Sequence, residues 1–240
     1  MSDATRALVE IRHVSRTYRD HVDVHALRDV SLVLESGAFA AIVGPSGSGK
    51  TTLLNLIGAL DRPDDGAILV GGVDLGATPA DELAEFRMHH IGFVFQAYNL
   101  FPVLSVEENL EFVAALQGLP KDTRSERARC LLEAVGLSEI RSKRPNELSG
   151  GQQQRVAVLR AIMTETSIVL ADEPTANLDS ANADILVDMM EQMNREKGVT
   201  FLFSTHDPQV MDRAHRLIRL HDGSVIGDEQ ARRPSGSSPQ

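Results

Sequence analysis

The chain has 240 residues, 42% of them hydrophobic and 24% charged, the makeup of a folded α/β domain with room for a smaller inserted lobe. Its net charge of −10 argues against general nucleic-acid binding, which needs a basic footprint. A single cysteine, Cys130, excludes an intrachain disulfide and a cysteine zinc site and suits a reducing cytosol. Residues Met1 to Arg16 lack the apolar core of a signal peptide, and no run of about 18 apolar residues occurs, so no membrane span is expected.

Leu8–Val14 alternates apolar and polar residues and predicts a half-buried strand, with Tyr18 in the polar stretch beyond it. Ala26–Leu34 predicts a second strand, closed by the turn Glu35-Ser36-Gly37. Phe39–Val43 is a short apolar strand. It runs into Gly44-Pro45-Ser46-Gly47-Ser48-Gly49-Lys50-Thr51, which fits the P-loop pattern G-x-x-x-x-G-K-[ST] at every fixed position. A helix follows from Gly49 to near Leu60, ended by the turn cluster Asp61–Gly66. Strand, glycine loop and helix N-terminus together make an anion site, because backbone N–H groups and the helix dipole both favour negative charge there. Lys50 would reach the β- and γ-phosphates and Thr51 would ligate Mg²⁺. The bland alternative is a glycine-rich turn with no ligand.

Short strands are expected at Ala67–Val70 and Val73–Leu75, a helix at Pro79–His89, and a buried strand at Ile91–Phe95 ending at Gln96. The strand pattern then disappears. Helices are expected at Ser105–Gln117 and Thr123–Val135, the first opened by a Ser105/Glu108 capping box. Leu110, Val113 and Leu116 are expected in its core face. Strands return at Ile168–Ala171, Val199–Phe203 and Arg216–Leu220, with a helix at Ser180–Lys197. Strands alternating with helices imply a mainly parallel sheet with right-handed crossovers. The expected organisation is one domain over 1–230, a helical lobe over about 97–163, and a disordered tail at 231–240.

Two further stretches carry chemistry. The apolar strand before Asp172-Glu173 places two acids at a strand's carboxyl end, where they can face a ligand above the sheet. Asp172 would hold Mg²⁺, directly or through water, and Glu173 would polarise the attacking water. Alternatively the pair caps a turn before Pro174. Leu148-Ser149-Gly150-Gly151-Gln152, ahead of a helix from Gln153 to about Met163, is either a second anion cradle or a tight turn.

That pentapeptide resembles the signature motif of ATP-binding cassette proteins, and its order between P-loop and Walker B strand is the family's. The resemblance covers roughly Val9 to Asp228. It implies a P-loop NTPase of class α/β: a RecA-like, mainly parallel core, an N-terminal antiparallel β-region and an inserted helical signature lobe. It implies ATP and Mg²⁺, bound by Gly44 to Thr52, with Tyr18 stacking on adenine, where an ordinary surface tyrosine is the alternative. It implies Gln96 at Mg²⁺ and the attacking water, with the loop to Val106 sensing a membrane partner. Asp179 would be the acid of the loop that crosses to a second subunit, and His206 the switch at the γ-phosphate. ATP would be sandwiched in a head-to-tail homodimer or heterodimer between one P-loop and the partner's Ser149-Gly150-Gly151.

The departures from family habit are Thr166, where proline is common, and Leu159, where a small residue is usual; both concern packing. Tyr98-Asn99-Leu100, Arg144-Pro145-Asn146-Glu147 and Phe203–Pro208 resemble the macrolide-export and lipoprotein-release branch. The expected function is therefore an ATPase subunit on the cytoplasmic face of the inner membrane that drives a separate permease. Importer and cell-division subunits overlap in these segments. A soluble cassette ATPase of chromosomes or translation is disfavoured: only Thr52 to Glu147 separate P-loop and signature, the chain has one cassette, and no nucleic-acid partner is expected. A nucleotide-gated module without turnover is disfavoured by Glu173 and His206.

Overall fold

The computed structural model describes residues 7–19 and 22–230; the expected tail at 231–240 lies outside the described residues. Two sheets form the frame. In the first, β1 (Ala7–Arg19) pairs antiparallel with β2 (Asp23–Glu35) on one edge and β4 (Asp65–Val70) on the other, and β5 (Val73–Asp74) closes the sheet. The second has β10 (Ser224–Gln230), β9 (Arg216–His221), β3 (Phe39–Val43), β8 (Thr200–Thr205), β7 (Ile168–Ala171) and β6 (Ile91–Val94) in that order. All are parallel except the β9–β10 hairpin at the edge.

Period-2 alternation makes the parallel sheet the seam between two cores. Phe39, Ala41, Val43, Val169, Ala171, Phe201 and Phe203 face one core. Phe39 meets Phe201 and Phe203 at ring-centroid distances of 5.8 and 5.1 Å. Ala40, Ile42, Ile168, Leu170 and Leu202 face the other, with α1 (Lys50–Ile57) and the inner side of the antiparallel sheet. The helices α3 (Val106–Leu116), α4 (Lys121–Ala134) and α5 (Gly150–Ile162) lie in the chain between β6 and β7 and share the first core with α6 (Ser180–Lys197). The Ser105 capping box forms as expected: its hydroxyl accepts the Glu108 N–H, and Glu108 accepts the Ser105 N–H. The helix expected at Pro79–His89 is α2 (Ala80–His90), with Pro79 as its cap.

Several boundaries differ from expectation for identifiable reasons. β1 runs on to Arg19 because register shifts, with His13 at φ 52°, break the apolar alternation without ending the pairing. α1 stops at Ile57, before the expected Leu60. A side chain at Gly58 would lie 2.5 Å from the Phe93 ring, so the chain turns where β6 packs against it. α5 starts at Gly150, three residues early, which puts both signature glycines inside its first turn. Leu110 is buried and Val113 half-buried, but Leu116, in the last turn of α3, is 60% exposed. β10 and α7 (Pro208–Arg213) were not expected. β10 has the polar make-up of an edge strand and is held by the Arg216–Asp228 ion pair at 2.6 Å. No helix among the described residues is long and apolar enough to cross a membrane.

Gly92 sets how closely α5 approaches β6. A Cβ there would lie 2.4 Å from the main-chain oxygen of Ala161. Gly92→Ala is expected to cost about 1–3 kcal/mol through this overpacking, read as a lower urea midpoint at unchanged slope.

Candidate active site

The chain leaves β3 into the loop 44–49 and enters α1 at Lys50. Gly49 adopts φ 104°, and a Cβ there would lie 2.4 Å from the Ala26 carbonyl oxygen. At Gly44 a Cβ would collide with the Leu220 carbonyl oxygen at 2.0 Å. Both positions therefore admit only glycine, and the loop is pressed against β2 and β9 from behind. The β9–β10 turn adds a hydrogen bond, Gly223 N–H to the Ser48 carbonyl at 3.0 Å. The first turn of α1 holds no acid. Lys50 is buried among the loop carbonyls, donating to Gly44 at 2.9 Å and Pro45 at 3.0 Å. The Ser48 hydroxyl is buried with no hydrogen-bond partner among the described residues.

A cavity of about 620 Å³ opens over this loop. Ser46, Gly47, Gly49, Lys50, Thr51 and Thr52 form its floor. Tyr18 and Val24, paired across β1 and β2, form one wall. Gln96, Glu173 and His206 form the other. Gly44, Pro45 and Ser48, also in this loop, are not among the residues that line the cavity. Asp172 stands beside it, its Oδ2 accepting the Thr51 hydroxyl proton at 2.9 Å.

Each wall residue is held by neighbours. The Tyr18 hydroxyl donates to Asp61 at 3.0 Å, and the Arg16 guanidinium lies 4.9 Å from the ring centroid. One ring face is thus engaged by a cation. Glu173 has φ 47°, rare for a non-glycine residue. Its Oε2 accepts the Nδ1–H of His206 at 2.9 Å, and its own N–H donates to Ser204 at 2.8 Å. His206 keeps 70% of its side chain exposed and Glu173 only 19%.

The remaining predicted residues form a second group, away from the cavity walls. Ser149 caps α5: its Oγ accepts the Gln152 N–H at 3.3 Å, and Gln152 Oε1 accepts the Ser149 N–H at 3.0 Å. Leu148 is buried behind them. Asp179 caps α6 and accepts from the Asn182 N–H at 2.8 Å. That backbone N–H, and then the Asn182 side-chain amide, hold its carboxyl below the usual range. Asn182 lies against the signature, since a Cβ at Gly151 would meet its Oδ1 at 2.5 Å.

The two groups communicate through the segment after Gln96. Asn177 donates to the Gln96 carbonyl at 3.0 Å. Tyr98 and Asn99 both have positive φ, 52° and 50°. Arg160, from α5, donates to the carbonyls of both residues. Burial lowers the Arg160 pKa, and among the described residues its side-chain hydrogen bonds go to these carbonyls. A side chain at Gly150 would meet the Tyr98 hydroxyl at 2.7 Å. Asp61, Asn182, Arg160 and Ser204 were missed by sequence reasoning. Only Ser204 left a signal, as a hydroxyl at the end of an apolar strand.

A loop with glycine at both positions where a Cβ would collide, an unpartnered buried hydroxyl, a lysine among carbonyls and a helix N-terminus without acids fit a nucleotide's phosphates. The fold and cavity together define a P-loop nucleoside triphosphatase. Residues 27–176 match the family model described as ABC transporter. The chain is 42% identical over 226 residues to ABC transporter ATP-binding protein YtrE of Bacillus subtilis (strain 168), covering 92% of this chain and 97% of that protein. It is 41% identical over 236 residues to Macrolide export ATP-binding/permease protein MacB 1/2 of Paracoccus denitrificans (strain Pd 1222), covering 98% of this chain but only 35% of that protein. A dimeric post-hydrolysis state of the ATP-binding cassette MJ0796, bound to ADP and Pi, superposes with a TM-score of 0.85 at 38% identity, covering 93% of this chain and 99% of that one. The chain belongs to the ABC transporter family, and it is an ATP-binding ATPase of that family.

Arg160→Met removes the clamp on Tyr98 and Asn99. Amide hydrogen exchange across residues 97–101 is expected to quicken at least tenfold, while exchange in β3 and β8 stays unchanged.

Proposed function

We propose that the chain works as a head-to-tail dimer, homomeric or with a related cassette, that closes around ATP and drives a separate membrane permease in export. The observation that carries this is the division of the predicted residues into two groups. The P-loop, Gln96, Glu173 and His206 surround one cavity, while the Ser149-Gly150-Gly151 helix start lies outside its walls. A second protomer would bring that helix start to the γ-phosphate. MJ0796 is dimeric in its solved cassette form, which supports the arrangement.

In this reading Tyr18 and Val24 receive the adenine. The loop N–H groups and Lys50 take the phosphates, so Lys50 exchanges two carbonyl contacts for charge-assisted ones. Thr51, Gln96 and Asp172 would hold Mg²⁺, which when bound neutralises phosphate charge. Glu173 orients and deprotonates the attacking water, and His206, bonded to Glu173, faces the γ-phosphate from the cavity mouth. Asp179, fixed by Asn182 beside the signature, would cross towards the partner's site.

Export is supported by the 41–44% identity to proteins named for macrolide export. The separate permease is supported by the match along 97% of YtrE, an ATP-binding protein by name. Phe101 and Val103 (73% exposed), in the segment after Gln96, are exposed apolar residues that suit a permease contact. Such a contact would hold the subunit at the cytoplasmic face of the membrane.

Glu173→Gln is expected to keep ATP affinity, lower phosphate release at least a hundredfold and shift light-scattering mass towards the dimer on adding ATP; normal turnover would remove Glu173 from the chemistry. Tyr18→Ala is expected to weaken ATP binding by about 1–3 kcal/mol in calorimetric titration through lost base stacking. Affinity purification from gently solubilised membranes should recover a multi-span chain with a large extracytoplasmic domain. Recovery of ribosomal or chromosomal proteins alone would replace the transporter reading.

A further inference from the structure

Ser204 closes the apolar run of β8, two residues before His206, and is 0% exposed. A hydroxyl has one donor proton and two acceptor lone pairs. The Ser204 proton goes to Asp172 Oδ1 at 2.6 Å, and a lone pair takes the Glu173 N–H at 2.8 Å. Among the described residues it is the one side chain hydrogen-bonded to both consecutive acids.

Each bond answers a specific problem. Asp172 has two carboxylate oxygens, and the plane they define decides where the second one points. With Oδ1 tied to Ser204, Oδ2 is left on the Thr51 hydroxyl at 2.9 Å. Glu173 has φ 47°, a conformation that a non-glycine residue keeps only when its surroundings over-determine it. Its half-buried N–H would be unpaired without Ser204. The Ser204 bond ties down the backbone of Glu173 while His206 engages its carboxylate.

We propose that Ser204 is a positioning residue for ATP hydrolysis: one buried hydroxyl sets both the carboxylate plane of Asp172 and the strained backbone of Glu173. This rests on the reading in which Asp172 holds Mg²⁺ and Glu173 acts on water. Ser204 does not line the cavity and acts only through these two acids.

Ser204→Ala is nearly isosteric and removes only the hydroxyl. Thr200→Val is the matched control at the other end of β8. Thr200 is equally buried, and its hydroxyl accepts the Gly37 N–H at 2.9 Å, far along the strand from the acids. The test measures three things: amide exchange at Glu173 without nucleotide, the Mg²⁺ concentration giving half-maximal ADP binding by calorimetry, and kcat and KM for ATP. Ser204→Ala is expected to speed exchange at Glu173, raise the Mg²⁺ midpoint about tenfold, and lower kcat roughly 10–100-fold with KM within about twofold, the range for partners that orient metal ligands. Thr200→Val is expected to lower the unfolding midpoint and leave all three readings unchanged. Wild-type Mg²⁺ dependence and kcat in Ser204→Ala, or the same profile in both variants, overturn the proposal. Glu173→Gln is run alongside. If it is inactive while Ser204→Ala is normal, the Ser204 proposal alone falls. If Glu173→Gln turns over normally, the base assignment falls and Ser204 with it.

Discussion

The cavity depends on a parallel sheet that is buried on both faces. In β3, β7 and β8 alternate residues feed different cores, so no strand can slide by one position without exchanging Phe39, Phe201 and Phe203 with their smaller neighbours. This constraint levels the strand ends. Val43 pairs with Thr205, Phe203 with Ala171, and Ala171 with Val94. The P-loop, His206, Asp172-Glu173 and Gln96 then emerge at one edge, where α/β sheets place their ligands. Residues far apart in sequence share one cavity because packing fixes the register, not because their side chains attract one another.

The chain is acidic overall, with a net charge of −10, yet it carries a polyanion site. The local charge resolves this. Backbone N–H groups, a helix start without acids and one lysine face the phosphate position. The two nearby acids each have partners: Asp172 is bonded by Ser204 and Thr51, and Glu173 by His206. Composition therefore speaks to long-range partners and says little about a site built from dipoles.

What was legible in the sequence follows the same division. The P-loop, the Walker B strand and the signature are contiguous, and their spacing carries their chemistry. The apolar strands were legible because burial on both faces leaves uninterrupted runs such as Phe39–Val43. β10 was not, because an edge strand needs little apolar content. The run of β1 to Arg19 was not, because register shifts break the alternation by which strands are recognised. Ser204, Arg160 and Asn182 act through contacts with residues 31, 62 and 31 positions away or nearer in space than in sequence, as Glu173, Tyr98 and Gly151. Nothing in their local pattern announces those partners. Leu116 had the helical spacing of a core residue, but no neighbouring element covers the last turn of α3 well enough to bury it.

The position of α5 gives the signature a mechanical connection to its own nucleotide site. Its first turn holds Gly150 against the Tyr98 hydroxyl, and Arg160 holds the Tyr98 and Asn99 carbonyls. Tyr98 follows Gln96 by two residues, so in the proposed mechanism a Gln96 moving to meet a γ-phosphate would pull on both ends of that attachment. In the proposed dimer the signature faces the partner's ATP. Occupation of one site would therefore bear on the geometry of the other through α5, without a direct contact between the two ligands. A ligand shifts such an equilibrium only by binding its two states unequally. In the proposed dimer the γ-phosphate would meet that condition, because hydrolysis would remove the group lying between Gln96 on one side and the partner's signature on the other. Arg160, a half-buried cation bonded to carbonyl oxygens, suits such a device: its bonds hold the segment at two strained residues while leaving it no ion pair to break.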